Sequence, residues 1–287
     1  SYIMDGVGSP GLIVDGYNSP HSFQLKPSHA KMLEQADIIF WIGEDLENFL
    51  EKPLATIAKK AEKIELLEIK GIKKLKFRER NIFEEHEGHD DHGDDAKKEE
   101  HDDHGHDAKK EEHDDHEGHG HGEYDPHIWL DPINAKVILN EITEHLIEND
   151  SKNAATYKSN LAKALAKIDK LIIDVITETN TDLSYVVFHD AYQYYENRFN
   201  VNILGAMTVN PDVMPGAEQI HEIHEVIEHD NVSCILSEPQ FNPDIIKSIA
   251  KDTNVKTGVL DPLGANLKPG KDLYFDLIRN MSVSFNC

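Results

Sequence analysis

The sequence predicts an α/β chain: two parallel-sheet α/β domains joined by one long rigid helix. Three observations predict it. Short continuous apolar runs alternate with amphipathic stretches in both halves, the pattern of buried parallel strands covered by helices. From Ile133 to about Thr179 there is no Pro or Gly, and apolar residues recur at helical spacing between Val137 and Val175. Between the first half and this stretch lies an intensely polar tract, residues 84–123. A length of 287 residues suits two ordinary domains. The expected division is an N-terminal α/β domain over 1–132, a linker helix over 133–180 and a C-terminal α/β domain over 181–287.

The elements follow in order. Residues 1–20 hold a short apolar run, glycine-rich turns and Pro20, and His21 comes next. Ser28, just after Pro27, is the expected cap of a helix running through HAKMLEQ. ADIIFWIGE (36–44) reads as a strand buried on both faces, 45–60 as a helix, and IELLEI (64–69) as a second strand. Two strands are few for a stable α/β domain, so a further strand is expected to precede Ser1. No signal peptide is read at Ser1, where the chain begins abruptly like a processed or trimmed product.

Past the tract, Asp131-Pro132 opens the long helical stretch, with a possible break at 149–153. Then come strands LSYVVF (183–188), VNILGAM (201–207), VSCILSEP (232–239) and VKTGVLDP (255–262). Helices are expected after Pro215-Gly216 through Glu228, over 242–252 and near 271–282.

The tract holds ten histidines: His86, His89, His92, His101, His104, His106, His113, His116, His119 and His121. The unit DAKKEEHDDH occurs twice, starting at Asp95 and Asp107. Almost without apolar side chains, such a segment cannot offset the entropy of ordering, so it reads as a disordered loop. Imidazole is the commonest ligand for zinc, copper and nickel, so the loop reads as an accessory metal collector that holds no single geometry. The bland alternative is a solvated acidic linker. The tract carries 18 acidic residues and 4 lysines, −14 of the net charge of −25, leaving −11 elsewhere. That surface disfavours nucleic acid. No apolar run reaches the roughly 18–20 residues that span a bilayer.

Within the ordered chain, ligands in open α/β sheets sit beyond the carboxyl ends of strands. His189 and Asp261 occupy such ends. His21 and His127 lie in turns beside Pro20 and Pro126, where the backbone has little freedom. These four are the candidate ligands of a metal site in the interdomain cleft. Other polar and aromatic residues read as structural. His221 and His224 share a helix face with Glu222, Glu225 and Glu228, a solvated surface. His29 and His145 read as exposed helix residues. Trp41, Trp129, Tyr192, Tyr194 and Tyr195 read as packing. Cys234 and Cys287 are open between two free thiols and one bridge.

Several motifs, in order, carry a resemblance: SPHSFQLKPSHAKMLEQADIIFWIGEDLENFL, the His/Asp tract, YDPHIWLDP, VVFHDAYQYYENRF, TVNPDVMPG, SEPQF and LDPLG. Over nearly its whole length the chain resembles the metal-binding substrate-binding proteins of bacterial ABC importers. The zinc-binding members, which serve high-affinity zinc importers from the periplasm, are the most similar. The resemblance implies zinc ligation by His21, His127 and His189, with Asp261 at the acidic position that is a fourth ligand in many relatives and is replaced by water or a nearby carboxylate in others. It implies a disulfide between Cys234 and Cys287 and a His-rich loop at 84–123. Manganese relatives place a carboxylate where His189 stands, and three imidazoles suit zinc better than manganese. The implied function is capture of Zn2+ in the periplasm and delivery to the membrane permease of a zinc ABC importer, by a monomer with no enzymatic activity. The family also has a strand and helix that would precede Ser1. Two other readings stay open: a metal-buffering or adhesion protein that works through the tract, and a zinc hydrolase with Glu238 as general base.

Overall fold

The computed structural model describes residues 1–78, 80–83, 122–209, 211, 213 and 215–287. The ten histidines of the tract lie outside the described residues. In the first half, α1 (Pro27–Gln35), β1 (Ile38–Trp41), α2 (Glu44–Thr56) and β2 (Glu62–Glu65) alternate, and β1 and β2 pair in parallel. The second strand starts earlier than the apolar run IELLEI. Its ladder then continues, since Leu66 and Leu67 donate to Trp41 and Ile42 at 2.8 and 2.9 Å.

Ser28 does not cap α1. Pro27 takes the first helical position, where a fixed φ and a missing N–H cost nothing. The cap is Lys26, whose backbone N–H donates to His29 Nδ1 at 3.2 Å. His29 is thus half-buried rather than exposed, its ring 5.4 Å from that of Phe23.

The second half is a four-stranded parallel sheet in the order β4-β3-β5-β6, from β3 (Ser184–His189), β4 (Asn202–Thr208), β5 (Cys234–Ser237) and β6 (Lys256–Val259). Every residue of β3 is buried. Because side chains alternate across a strand, Tyr185 and Val187 enter one core and Val186 and Phe188 the other. The helices α5 (Gln193–Phe199), α6 (Ala217–His229), α7 (Asp244–Thr253) and α8 (Leu273–Ser284) complete this half.

The long helical stretch is two helices, α3 (Pro132–Asn149) and α4 (Ala154–Glu178), split by a 3-10 turn at Ser151–Asn153. The break falls where the sequence allowed one. Asp150 holds the turn, its carboxylate accepting from Asn153 Nδ2 at 2.6 Å and Tyr157 OH at 2.9 Å. The two helices run antiparallel, so Lys136 reaches Asp169 at 2.6 Å. The long element is therefore α4 alone, whose 25 residues span about 37 Å at 1.5 Å per residue. Its buried stripe of Ala164, Ile168, Leu171 and Val175 recurs at three- and four-residue steps.

Cys234 and Cys287 form a disulfide with Cα atoms 6.4 Å apart, tying the segment after α8 to the start of β5 across 53 residues. A loop of that length is stabilised by about 4 kcal/mol in the chain-entropy account. Cys287→Ser is expected to lower the unfolding free energy by roughly that amount, read by denaturant titration.

A half-buried acid breaks the start of α2. Glu47 sits at φ −120°, ψ 48°, and its carboxylate accepts from Ile42 N at 2.6 Å and Gly43 N at 3.4 Å. Burial pushes its pKa up to about 7. A carboxyl whose folded pKa is raised binds its proton better folded than unfolded, so the fold loses stability as pH climbs from the ordinary value of 4.5 through 7. Glu47→Gln should therefore raise the melting temperature by a few degrees at pH 8 and leave it nearly unchanged at pH 4. Thermal melts at the two pH values read the difference.

Candidate metal centre

Three of the four candidate ligands meet. His21 lies on segment 1–26, which has no helix or strand. His127 sits at the mouth of a one-turn 3-10 helix, Ile128–Leu130, that leads into α3. His189 ends β3. The Nε2 atom of His127 lies 3.4 Å from Nε2 of His21 and 3.4 Å from Nε2 of His189. All three ligand atoms fall within 4.8 Å of one another. A tetrahedral zinc with Zn–N bonds of about 2.0–2.1 Å separates its nitrogen ligands by about 3.3–3.4 Å. The two His127 spacings match that ion, and the third pair lies within 4.8 Å.

Two of the imidazoles are oriented from behind. Asp125 Oδ1 lies 2.7 Å from His127 Nδ1 and also accepts the His127 backbone N–H at 2.9 Å. Glu238 Oε1 lies 2.6 Å from His189 Nδ1. A carboxylate on Nδ1 keeps the proton there and leaves the Nε2 lone pair facing inward. Glu238 directly follows β5, which neighbours β3, so parallel pairing sets it beside His189.

The pocket is walled by Pro20, Trp129, Phe241, Pro262 and Leu263. Burial, reinforced by His189, holds the His127 pKa well below the usual imidazole range, so this ring stays neutral. For His189 burial is the largest single influence and acts in the same direction, but Glu238, Asp190 and Asp125 together outweigh it and the pKa is raised. Burial pushes Asp125 up to about 7.

Asp261 stands apart from this group. Its Oδ1 accepts from Gln240 Nε2 at 2.9 Å, Leu263 N at 3.1 Å and Gly264 N at 2.9 Å, and its Oδ2 from Ala265 N at 2.6 Å. Those donors hold the turn that carries Pro262 and Leu263, with Gly264 at φ +75°. The same turn closes the mouth of the pocket. Gln240 Nε2 also donates to Gly16 O at 2.6 Å, and Trp129 Nε1 to Pro262 O at 2.9 Å, so first-half segments are pinned to second-half loops on both sides.

Trp129 therefore does more than pack, its ring 5.3 Å from that of His127. Tyr192, Tyr194 and Tyr195 are fully buried, as expected of packing residues. The α6 face of His221 is solvated, with Glu225 at 3.6 Å. His145 is half-buried rather than exposed, set between Glu62 at 2.9 Å and Glu141 at 3.3 Å. It forms a second group with Glu62 and Glu148, whose carboxylates are at the surface. Sequence reasoning missed Asp125. Its signal was the spacing Asp-Pro-His, which places a carboxylate where it caps the following backbone N–H.

Comparison with known proteins adds the following. A family model described as "Zinc-uptake complex component A periplasmic" (ZnuA) matches residues 2–286. The "High-affinity zinc uptake system protein ZnuA" of Brucella abortus (strain 2308) is 46% identical over 291 residues, covering 99% of this chain and 86% of the relative. A solved structure described as "Crystal structure of ZnuA" superposes with a TM-score of 0.72 at 20% identity, covering 99% of this chain and 94% of the other. A zinc-bound ZnuA deletion mutant also gives 0.72 at 20% identity, covering 98% and 91%.

Proposed function

Because this chain belongs to the family of periplasmic zinc-uptake components, ZnuA, we propose that it captures zinc in the periplasm and delivers it to an ABC importer permease. One observation carries the reading: three imidazoles gathered within 4.8 Å, with His127 Nε2 at zinc-ligand spacing from both of the others, and two of the rings with a carboxylate on the opposite nitrogen. His21, His127 and His189 are the ligands in this proposal. With all four of its hydrogen bonds committed to the 262–265 turn and Gln240, Asp261 acts as a support for the pocket wall, and water takes the fourth position.

The mechanism is capture without chemistry. Neutral imidazoles supply three lone pairs, the aromatic walls exclude bulk water, and the ion is the cargo. Glu238 orients His189 from behind the ring, so it does not serve as the general base of a hydrolase. No described helix is long and apolar enough to cross a membrane, so contact with the permease is by docking. The molecule acts as a monomer in this reading, with 1–132 and 181–287 as its two lobes and 133–180 as their connector.

Competitive zinc titration against a chelator dye tests the proposal, on the full chain and on a form lacking 84–121. One tight site should survive the deletion, and His127→Ala should weaken it at least a hundredfold. Asp261→Asn should change it less than threefold. Loss of all tight binding with the tract would sink the assignment.

The pH dependence follows from the same geometry. In the metal-free protein the raised pKa of His189 makes it protonate before His127 as pH falls. A proton on Nε2 excludes the ion, so affinity is full above that pKa and declines below it by up to about tenfold per pH unit for each proton displaced. Titrations at pH 7.5 and 5.5 should show this loss, and equal affinities would contradict it.

A further inference from the structure

Helix α4 is not the only route by which the two halves meet. Residues 75–78 and 80–83 leave the first half and dock on the second. Leu75 O accepts the Asp125 N–H at 2.8 Å, and Tyr194 OH links Leu75 N at 3.0 Å to Asp125 O at 2.7 Å. Farther along, Asn81 O accepts from Ala206 N at 2.8 Å and Phe83 N donates to Leu204 O at 2.9 Å, adding an antiparallel edge to β4. Gly205 permits this contact, since a Cβ there would lie 2.7 Å from Asn81 O.

Between the two docked ends stands Arg78. Its Nη1 donates to Asp190 Oδ1 at 2.9 Å and its Nη2 to Glu196 Oε2 at 2.7 Å, and its guanidinium stacks 3.9 Å from the centre of the Phe83 ring. The Asp190 and Glu196 side chains are only 5% and 9% exposed. One end of the segment thus grips Asp125, which orients His127. Its centre grips Asp190, the residue next to His189.

We propose that residues 75–78 and 80–83 form an interdomain strap that fixes the separation of His127 and His189, with Arg78 as a positioning residue acting through Asp190. The inference rests on reading the three-histidine group as the zinc site. Arg78 never reaches the ion. It holds the backbone that follows His189 against a segment that also holds the backbone preceding His127. A guanidinium is needed because two carboxylates must be held at once by one planar fork, which a lysine ammonium does not reproduce.

The test compares Arg78→Lys, Asp190→Asn and the double variant with wild type, using zinc competition and the visible absorption of the Co2+-loaded protein. Lys keeps the charge and Asn keeps the shape, so both variants should fold. Each single variant should weaken zinc by about tenfold and shift the cobalt bands. The double variant should lose no more than the weaker single, since both act along one path. Ile249→Ala, a core truncation in α7, is the stability control. It should lower the melting temperature at least as far with zinc affinity unchanged. Unchanged affinity and cobalt bands in both single variants would overturn the strap, as would additive losses or an equal loss in Ile249→Ala. His127→Ala run alongside separates the two layers: if it too keeps full affinity, the zinc-site reading itself has failed.

Discussion

Two short carboxylate–imidazole contacts, Asp125 to His127 and Glu238 to His189, are what the rest of the site depends on. An imidazole has two nitrogens, and which one carries the proton decides whether it can be a ligand. Buried without a partner, these rings would take either tautomer and rotate. With a carboxylate behind each, the proton is fixed outward and the lone pair inward. The fold then has one task, to bring the backbones of residues 125–127, 189 and 238 into register. Parallel pairing of β3 with β5 does this for His189 and Glu238. A Pro-bounded turn does it for Asp125 and His127, with Arg198 holding Asp131 just beyond at 2.7 and 2.8 Å.

Burial is what makes those contacts decisive. Asp125, His127, His189 and Glu238 are each no more than 3% exposed. In that setting a charge without a counterpart is expensive, and each ring and carboxylate stabilises the other. The same setting explains why Asp261, one turn farther along the sheet edge, plays a different part. Three backbone N–H groups and the Gln240 amide point at it, and satisfying them uses both of its oxygens. In the proposed site a carboxylate so engaged supports the loop, and water takes the ion's fourth position.

Much of the framework was legible in the sequence because it is written locally. The runs YVVF and ILGAM are apolar throughout and emerged as buried strand segments, and the absence of Gly and Pro marked the helical stretch. His21, His127 and His189, which the fold brings together, were singled out from turn chemistry and strand ends. What stayed hidden depends on partners far apart in the chain. Asp150 reverses the helices through bonds made only once the turn exists. Arg78 reads as one more cation until residues 112 and 118 positions away fold against it. His145 read as exposed because its partner Glu62 belongs to another element. Helix α5 was missed because its tyrosines and phenylalanine show no clean stripe, being buried nearly all round.

Besides the pocket-side contacts of Gly16 and Trp129, the halves are joined by α4 and by the docked segment at the edge of β4. A single joint allows a swing; two joints side by side make a closed frame. Rotating one half against the other would shear main-chain hydrogen bonds at Asn81 and Phe83, so wide opening is costly. The ion's way out is therefore chemical rather than mechanical. In the proposed three-histidine site it would leave by surrendering ligands one at a time, beginning with the histidine whose backbone is least braced by regular structure, His21. Unloading becomes a ligand-exchange reaction, with a rate set by how readily an incoming donor replaces that first imidazole.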